Sequence, residues 1–501
     1  MTTETLAKTN AAKTYKRLKI KQDQIDKYLD NGRDFIPAAQ IEHQLRTNAE
    51  PDAKRVRDII TKSLAIESLT PDETAVLLNV TDPALLAEMR DAADKIKHKV
   101  YDNRIVTFAP LYLSNYCAND CVYCGFRKSN KTAFRKKLNA DEVRTETDVL
   151  VGKIGHKRLV VVYGEHPDSD VDYIADTIET IYSVKAKTKN SFIQIRRCNI
   201  NAAPMSIEDL RTLHEVGIGT FQVFQETYHR PTYEKVHPQN TVKGDYLWRL
   251  YCMHRSMEAG VDDVGIGALF GLYDWKFEVM GLVHHALELE NKFGIGPHTI
   301  SFPRLEPACN TPYINNAKYK VSDADFEKLV TVIRLAVPYT GMILTARENA
   351  DIRRKIIPLG CTQTDASSRI GIGAYCSEDN NQTKREQFTL GDTRSLDTVV
   401  RELAEMGYIT SFCTAGYRCG RTGKKIMNLL RTGKEGCFCK LNAVITFREW
   451  LDDFATEQTK AVGEKVIAEE IRQIKEQMPQ TYAQFEALYS RTAQGHRDLY
   501  F

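Results

Sequence analysis

The chain has 501 residues, 42% hydrophobic and 27% charged, with a formal net charge of +3. That is the make-up of a globular protein with room for a barrel of ~250 residues plus additions. It gives no electrostatic case for binding nucleic acid or a membrane surface, and no apolar run nears the ~20 residues that span a bilayer.

Residues 1–21 are polar and basic, without the apolar core of a secretory signal. Glu4, and the lack of arginine before Arg17, argue against an organelle transit peptide. Twelve cysteines without a secretory signal point to a reducing compartment, where thiols serve metals or catalysis. A cytoplasmic location is expected.

Residues 1–85 are rich in Lys, Glu, Asp, Ala and Leu and predict a helical cap. Thr70-Pro71-Asp72-Glu73 carries a capping-box pattern with proline at the first helical position. A second helix start is expected at Thr81-Asp82-Pro83. From 86 to 380 short runs of β-branched and aromatic residues alternate with helical stretches. The strand candidates are Arg104–Leu113, Arg158–Glu165, Ser191–Asn199, Gly219–Glu226, Asp263–Gly271, His298–Leu305, Gly341–Arg347 and Lys355–Gly360. Helices are expected at Ser206–Val216, Tyr246–Ala259, Glu278–Lys292 and Asp323–Val337. Eight such βα units predict an α/β fold closed as a (β/α)8 TIM-type barrel, with a doubly wound open sheet as the alternative. Residues 381–501 read as a separate, mostly helical domain, with patterns at Leu396–Met406, Phe447–Phe454 and Thr456–Gln477, the last ended by Pro479.

Active sites of such barrels lie at the C-terminal ends of the strands, and four candidate strand ends carry reactive groups. Cys117, Cys121 and Cys124 follow the first in the spacing CxxxCxxC. Each thiolate can hold one iron of a 4Fe–4S cluster, and without a fourth cysteine at ferredoxin spacing one iron stays open. A zinc knuckle and a chance group of buried cysteines are the competing readings, but zinc favours CxxC pairs and four ligands. Gly164-Glu165 ends the second strand, where a glycine allows close backbone approach and an acid can take up an ammonium. Arg304 ends the sixth, its guanidinium a rigid fork for a carboxylate such as that of an amino acid; the competing reading is a structural arginine paired with Glu306 or a helix end. Gln363-Thr364-Asp365 is the fourth group. Arg249 and Arg255 read as surface ion-pair residues. His284 and His285 are adjacent on an apolar helix, where a histidine is usually a satisfied core group; they point about 100° apart, so the other reading is that one of them reaches the barrel lumen as an iron or zinc ligand.

The cysteine loop resembles that of the radical S-adenosylmethionine (SAM) superfamily. Residues from about 100 to 501 are similar to its tyrosine lyases, most of all the FeFe-hydrogenase maturation lyases of the HydG type. The runs that carry the likeness are Leu111–Cys117, Gly217–Tyr228, Asp262–Leu272, Gly296–Ser301, Ser411–Ala415 and Arg497–Phe501.

The resemblance implies a 4Fe–4S cluster with SAM on its open iron, Tyr123 near the adenine, Gly164 and Glu165 at the amino group of SAM, and Arg304 on the substrate carboxylate. It implies radical cleavage of the Cα–Cβ bond of tyrosine to p-cresol and dehydroglycine (2-iminoacetate). An electron donor and hydrogenase-assembly proteins are the implied partners. In the maturation type the fragment passes down the barrel to a second iron–sulfur cluster and becomes carbon monoxide and cyanide on iron. By position His285, with His284 as fallback, matches a histidine that holds an extra iron beside that cluster.

The chain departs from this family at the second cluster, whose usual ligands are a CxxC pair and a cysteine 23 residues later. Cys413 and Cys439 match the first and third, but Gly416 stands in the place of the second. Cys419 and Cys437 are the nearby replacements. Two alternatives follow: a lyase that stops at dehydroglycine, and a non-catalytic iron–sulfur carrier or assembly scaffold.

Overall fold

A computed structural model of the chain describes residues 14–189, 191–377, 384–418, 423–431 and 435–501. Its core is a sheet of parallel strands that closes on itself. In chain order these are β1 (Arg104–Ser114), β2 (Arg158–Tyr163), β3 (Arg197–Asn201), β4 (Phe221–Gln222), β5 (Val264–Gly267), β6 (Thr299–Ser301), β7 (Gly341–Leu344) and β8 (Gln363–Asp365). Each pairs with the next, and β8 returns to β1 through Val106↔Gln363 to Phe108↔Asp365. The expected (β/α)8 barrel is therefore closed, and the open-sheet alternative falls.

β1 is buried along all eleven residues. Its lower end carries β9 (Ile409–Ser411), parallel and in the register Arg104↔Ile409 to Val106↔Ser411. This three-residue strand has no pattern long enough to read from sequence. It ties the C-terminal segment to the floor of the barrel.

Three local expectations are corrected. Ser191–Asn199 is not one strand: Phe192–Ile193 pairs antiparallel with Ala186–Lys187 outside the barrel, and the barrel strand begins only at Arg197. Lys355–Gly360 is helical: Asn349 accepts the Ile352 N–H, a helix runs Ala350–Ile356, and Ile357–Leu359 adds a 3₁₀ turn ended by Gly360 at φ 118°. The isoleucines suited a strand, but their burial is met on one helix face. The eighth strand is Gln363–Asp365, whose residues the sequence pattern places at a strand end. Tyr246–Ala259 splits at Tyr251 into Tyr246–Leu250 and Cys252–Glu258.

Among the described residues the helices before Pro83 include Asp23–Asp26, Ala38–Thr47, Ala53–Leu64 and Pro71–Asn79. The Thr70/Glu73 capping box forms, and Asp82 caps the helix Pro83–Tyr101, which runs across the expected boundary at residue 85. After β9 the long helices are Glu435–Phe454, Glu457–Gln477 and Pro479–Ala493. Pro479 therefore opens a helix as well as following one, as its missing N–H allows at a first helical turn. No described helix is long and apolar enough to cross a membrane.

Candidate active site

A cavity of about 1030 Å³, counted with its open mouth, lies at the C-terminal ends of the strands. Cys117, Cys121, Tyr123 and Cys124 line it from the loop after β1, and Gly164 and Glu165 from the end of β2. Glu226, Lys243, Arg249 and Arg347 complete a charged wall.

The cysteine loop is held by backbone and amide contacts. Ala118 N–H donates to the Glu165 carbonyl at 2.7 Å, and Cys124 N–H to the Cys121 carbonyl at 3.1 Å. The Cys124 Sγ receives the Phe126 N–H at 3.4 Å and Gln387 Nε2 at 3.7 Å. Burial, with Cys124 alongside, pushes the Cys117 thiol up to about 11, and burial raises Cys121 as well. Such thiols ionise when a cation binds them. Among the described residues no three His, Cys, Asp or Glu side chains converge on a single-ion point. All three cysteines line one cavity, and three thiols on one loop fit a 4Fe–4S cluster with one iron left open.

Glu165 faces the same space. Asn119 Nδ2 donates to Oε2 at 2.5 Å, while Oε1 is buried without a partner. Burial raises its carboxyl above the usual range. An unpaired buried carboxylate oxygen is costly unless a donor arrives, and an ammonium group meets that demand. Gly164 lines the cavity and also meets a packing need. A Cβ there would lie 2.3 Å from the Tyr116 carbonyl, so the glycine lets β2 press against the cysteine loop.

Tyr123 is fixed by its neighbours. His237 Nδ1 lies 3.0 Å from the Tyr233 carbonyl and so carries the hydrogen there, leaving Nε2 to accept from the Tyr123 hydroxyl at 2.8 Å. Lys243 sits 5.6 Å over the Tyr123 ring. Its ammonium reaches Glu226 at 2.7 Å, and Arg249 reaches the same oxygen at 3.3 Å. Burial opposes the charge of Glu226, yet Lys243 and Arg249 hold its pKa below the usual range. Arg249 is thus a buried cavity residue and not the surface partner expected. Arg255 is buried too, donating to the Met205 and Trp248 carbonyls.

Arg304 is corrected as well. Pro303 and Leu305 line the cavity, and the alternation of an extended chain turns Arg304 to the other side. There its guanidinium pairs with Glu348 and with Asp323 at 2.7 Å, and lies 4.5 Å over the Phe326 ring. The arginine facing the cavity from the seventh unit is Arg347, stacked 3.3 Å from the Phe388 ring centre and without a carboxylate partner among the described residues. The sequence signal for it is an arginine three residues past Leu344, at the C-terminal end of the expected strand Gly341–Arg347.

The lower site is smaller. Cys413 and Cys439 line one pocket with Arg104, Ser411 and Asn442. Cys413 takes the left-handed conformation (φ 47°), and its N–H donates to Ser411 Oγ at 3.2 Å. Arg104 starts β1 while the upper cysteines follow its end, so the two sites lie about 30 Å apart by strand rise. Gly416 falls in the short helix Ala415–Arg418. Cys419 and the side chain of Cys437 lie outside the described residues.

His285 does not reach the lumen. Its Nδ1 meets the Tyr228 hydroxyl at 2.9 Å, and its ring packs 5.1 Å from Phe35 and 6.3 Å from His254. It fills the layer between the barrel helices and the N-terminal cap, where burial keeps it neutral. His284, the fallback, also lies low in pKa through burial. His298 lies at the foot of the barrel, just ahead of β6, with Nδ1 3.6 Å from Asp263.

A closed parallel barrel whose first strand delivers three cysteines to its C-terminal mouth is the architecture of a radical SAM protein. Comparison with known proteins agrees. Residues 111–280 match the Radical SAM superfamily, and residues 301–409 the Biotin and Thiamin Synthesis associated domain. The chain is 30% identical to 2-iminoacetate synthase of Salmonella typhimurium over 350 residues, 70% of this chain and 88% of that one. It is similar to the crystal structure of HydG, a maturase of the [FeFe]-hydrogenase, at 48% identity and a TM-score of 0.88 over 94% of this chain and 100% of that one. HydG from Carboxydothermus hydrogenoformans is similar at 34% identity and a TM-score of 0.75, over 95% and 99%. The chain belongs to the radical SAM family of the 2-iminoacetate synthases and HydG maturases.

Proposed function

We propose that the protein is a radical SAM lyase that cleaves the Cα–Cβ bond of tyrosine to p-cresol and dehydroglycine, in the role of a hydrogenase maturase. The observation that carries it is the upper cavity, where three thiols, one unsatisfied carboxylate oxygen and one unpaired guanidinium face each other. Cys117, Cys121 and Cys124 would hold the 4Fe–4S cluster, leaving one iron for SAM. Cluster and SAM together supply a 5′-deoxyadenosyl radical. Glu165 Oε1 binds the methionyl ammonium, and Asn119 keeps that carboxylate turned into the cavity. Tyr123, immobilised by His237, offers its face to the adenine. Arg347 replaces Arg304 as the group that orients the tyrosine carboxylate. The Glu226–Lys243–Arg249 cluster keeps the wall polar and preorganised.

Onward conversion of dehydroglycine to carbon monoxide and cyanide needs a second cluster below the barrel. Thr107, Gln222, Thr299 and Gln363 have buried polar atoms without partners within the barrel strands, an interior that suits a small polar fragment. Cys413 and Cys439 supply two thiols, and Gly416 supplies none, so a further ligand must come from elsewhere. The competing reading, a lyase that ends at dehydroglycine, rests on that glycine. Anaerobic reconstitution with tyrosine, SAM and a strong reductant tests both. p-Cresol with carbon monoxide trapped on reduced haem protein supports the full sequence. p-Cresol alone supports the truncated one, and neither product overturns the lyase reading.

A further inference from the structure

We propose that the segment from Gly125 to Asn139 is the docking face for an acidic one-electron carrier protein of the ferredoxin type. The proposal rests on the reading of the upper site as a SAM-cleaving centre, which consumes one electron per SAM. The carrier is oxidised by one electron. The sulfonium is reduced, its S–C5′ bond breaks, and methionine and the carbon-centred radical result.

The segment starts one residue after the cluster ligand Cys124. It holds Arg127, Lys128, Lys131, Arg135, Lys136 and Lys137 and no Asp or Glu, in a chain whose net charge is only +3. The positive charge is therefore concentrated here. Lys136 meets Glu142 at 2.5 Å, and the other five have no carboxylate at ion-pair distance among the described residues.

Their other contacts leave the charge in place. Arg127 donates to the Cys124 carbonyl at 3.2 Å and to Thr311 Oγ1 at 2.9 Å. Arg135 donates to the carbonyls of Asn115, Phe126 and Arg127 at 2.7–2.8 Å. Neutral acceptors hold these guanidinium groups without cancelling them, so the loop is a rigid cationic surface. Lys128 and Lys131 are exposed.

A second feature points to a protein partner. Phe134 is 42% exposed within the patch, with the Arg385 guanidinium 4.6 Å over its ring. An apolar anchor ringed by cations is how a protein interface combines burial with steering. A nucleic acid would need a longer basic track with several stacking rings, and the cations here are one short loop beside the cluster together with Arg385.

The test uses the full chain with its upper cluster reconstituted, and follows 5′-deoxyadenosine. One arm is driven by dithionite and the other by a reduced two-cluster bacterial ferredoxin. The double variant Lys128→Glu/Lys131→Glu is expected to raise the KM for ferredoxin roughly tenfold or more, with the dithionite rate unchanged. Salt raised to 0.3 M is expected to act on the parent chain in the same direction. Lys54→Glu, on a remote helix, should leave the ferredoxin KM alone. An unchanged KM in the double variant, or an equal rise with Lys54→Glu, overturns the docking face. Absence of 5′-deoxyadenosine with dithionite would instead overturn the SAM-cleavage reading, and the proposal with it.

Discussion

Asn119 and Glu165 are joined across the upper cavity by a hydrogen bond of 2.5 Å that satisfies one carboxylate oxygen and leaves the other bare. The amide comes from the cysteine loop and the acid from the end of β2. One contact therefore sets the cluster loop and the SAM-facing carboxylate relative to each other.

Glu165→Gln keeps the shape and removes the charge. Loss of a charge-assisted hydrogen bond of about 2–3 kcal/mol should weaken SAM binding roughly 30- to 150-fold. Asn119→Ala, which frees the carboxylate to turn and also removes the acceptor of the Lys243 N–H, should cost several-fold less. Equilibrium binding of SAM to the reconstituted protein measures both, and equal, unchanged affinities would remove Glu165 from the SAM site.

The two arginines separate stability from substrate binding. Arg304→Gln strands Glu348, which is 3% exposed, and should destabilise the fold by about 3 kcal/mol with the tyrosine KM near its parent value. Arg347→Gln should do the reverse, raising the tyrosine KM by about two orders of magnitude with little change in the melting temperature. Kinetics and thermal melts on the two variants decide it. A raised KM in Arg304→Gln alone would restore the first assignment.

Glu278 should make the fold lose stability as the pH rises from about 4.5 to 8. It is fully buried, accepts from the Tyr228 N–H at 2.8 Å and from the Thr227 hydroxyl, and burial lifts its pKa to about 8. Its folded pKa lies above the unfolded one, so the native state holds the extra proton between about pH 4.5 and 8. Stability is then complete below that window and falls through it, by on the order of 1.4 kcal/mol per pH unit. Glu278→Gln, the neutral mimic, should flatten the dependence of the melting temperature on pH. An unaltered slope would show that other groups set it.

The cysteines should sort by site. Cys117→Ala, Cys121→Ala or Cys124→Ala should abolish p-cresol formation. Cys413→Ala and Cys439→Ala should retain it, and lower total iron only if the lower pocket takes a cluster. Iron analysis beside product analysis reads both effects, and loss of p-cresol in the lower-site variants would show that the two sites are not independent.

What the amino-acid sequence determined by itself was whatever depends on neighbours along the chain. The capping box at Thr70 and Glu73, the three cysteines on one loop and the βα alternation are local, and the barrel followed because eight such units close. Side-chain direction and pairing across the barrel were decided only by the tertiary structure. Arg304 and Arg347 are both arginines near strand ends, and only the alternation that puts Pro303 and Leu305 in the cavity shows which guanidinium is free. Lys355–Gly360 has strand-like residues, but a cap six residues upstream and burial on one face make it helical. His285 sits on an apolar helix as expected, yet what packs on that helix is the N-terminal cap, 250 residues distant in sequence. β9 was illegible because three residues carry no period, and it becomes a strand only where the lower edge of β1 is there to pair with it.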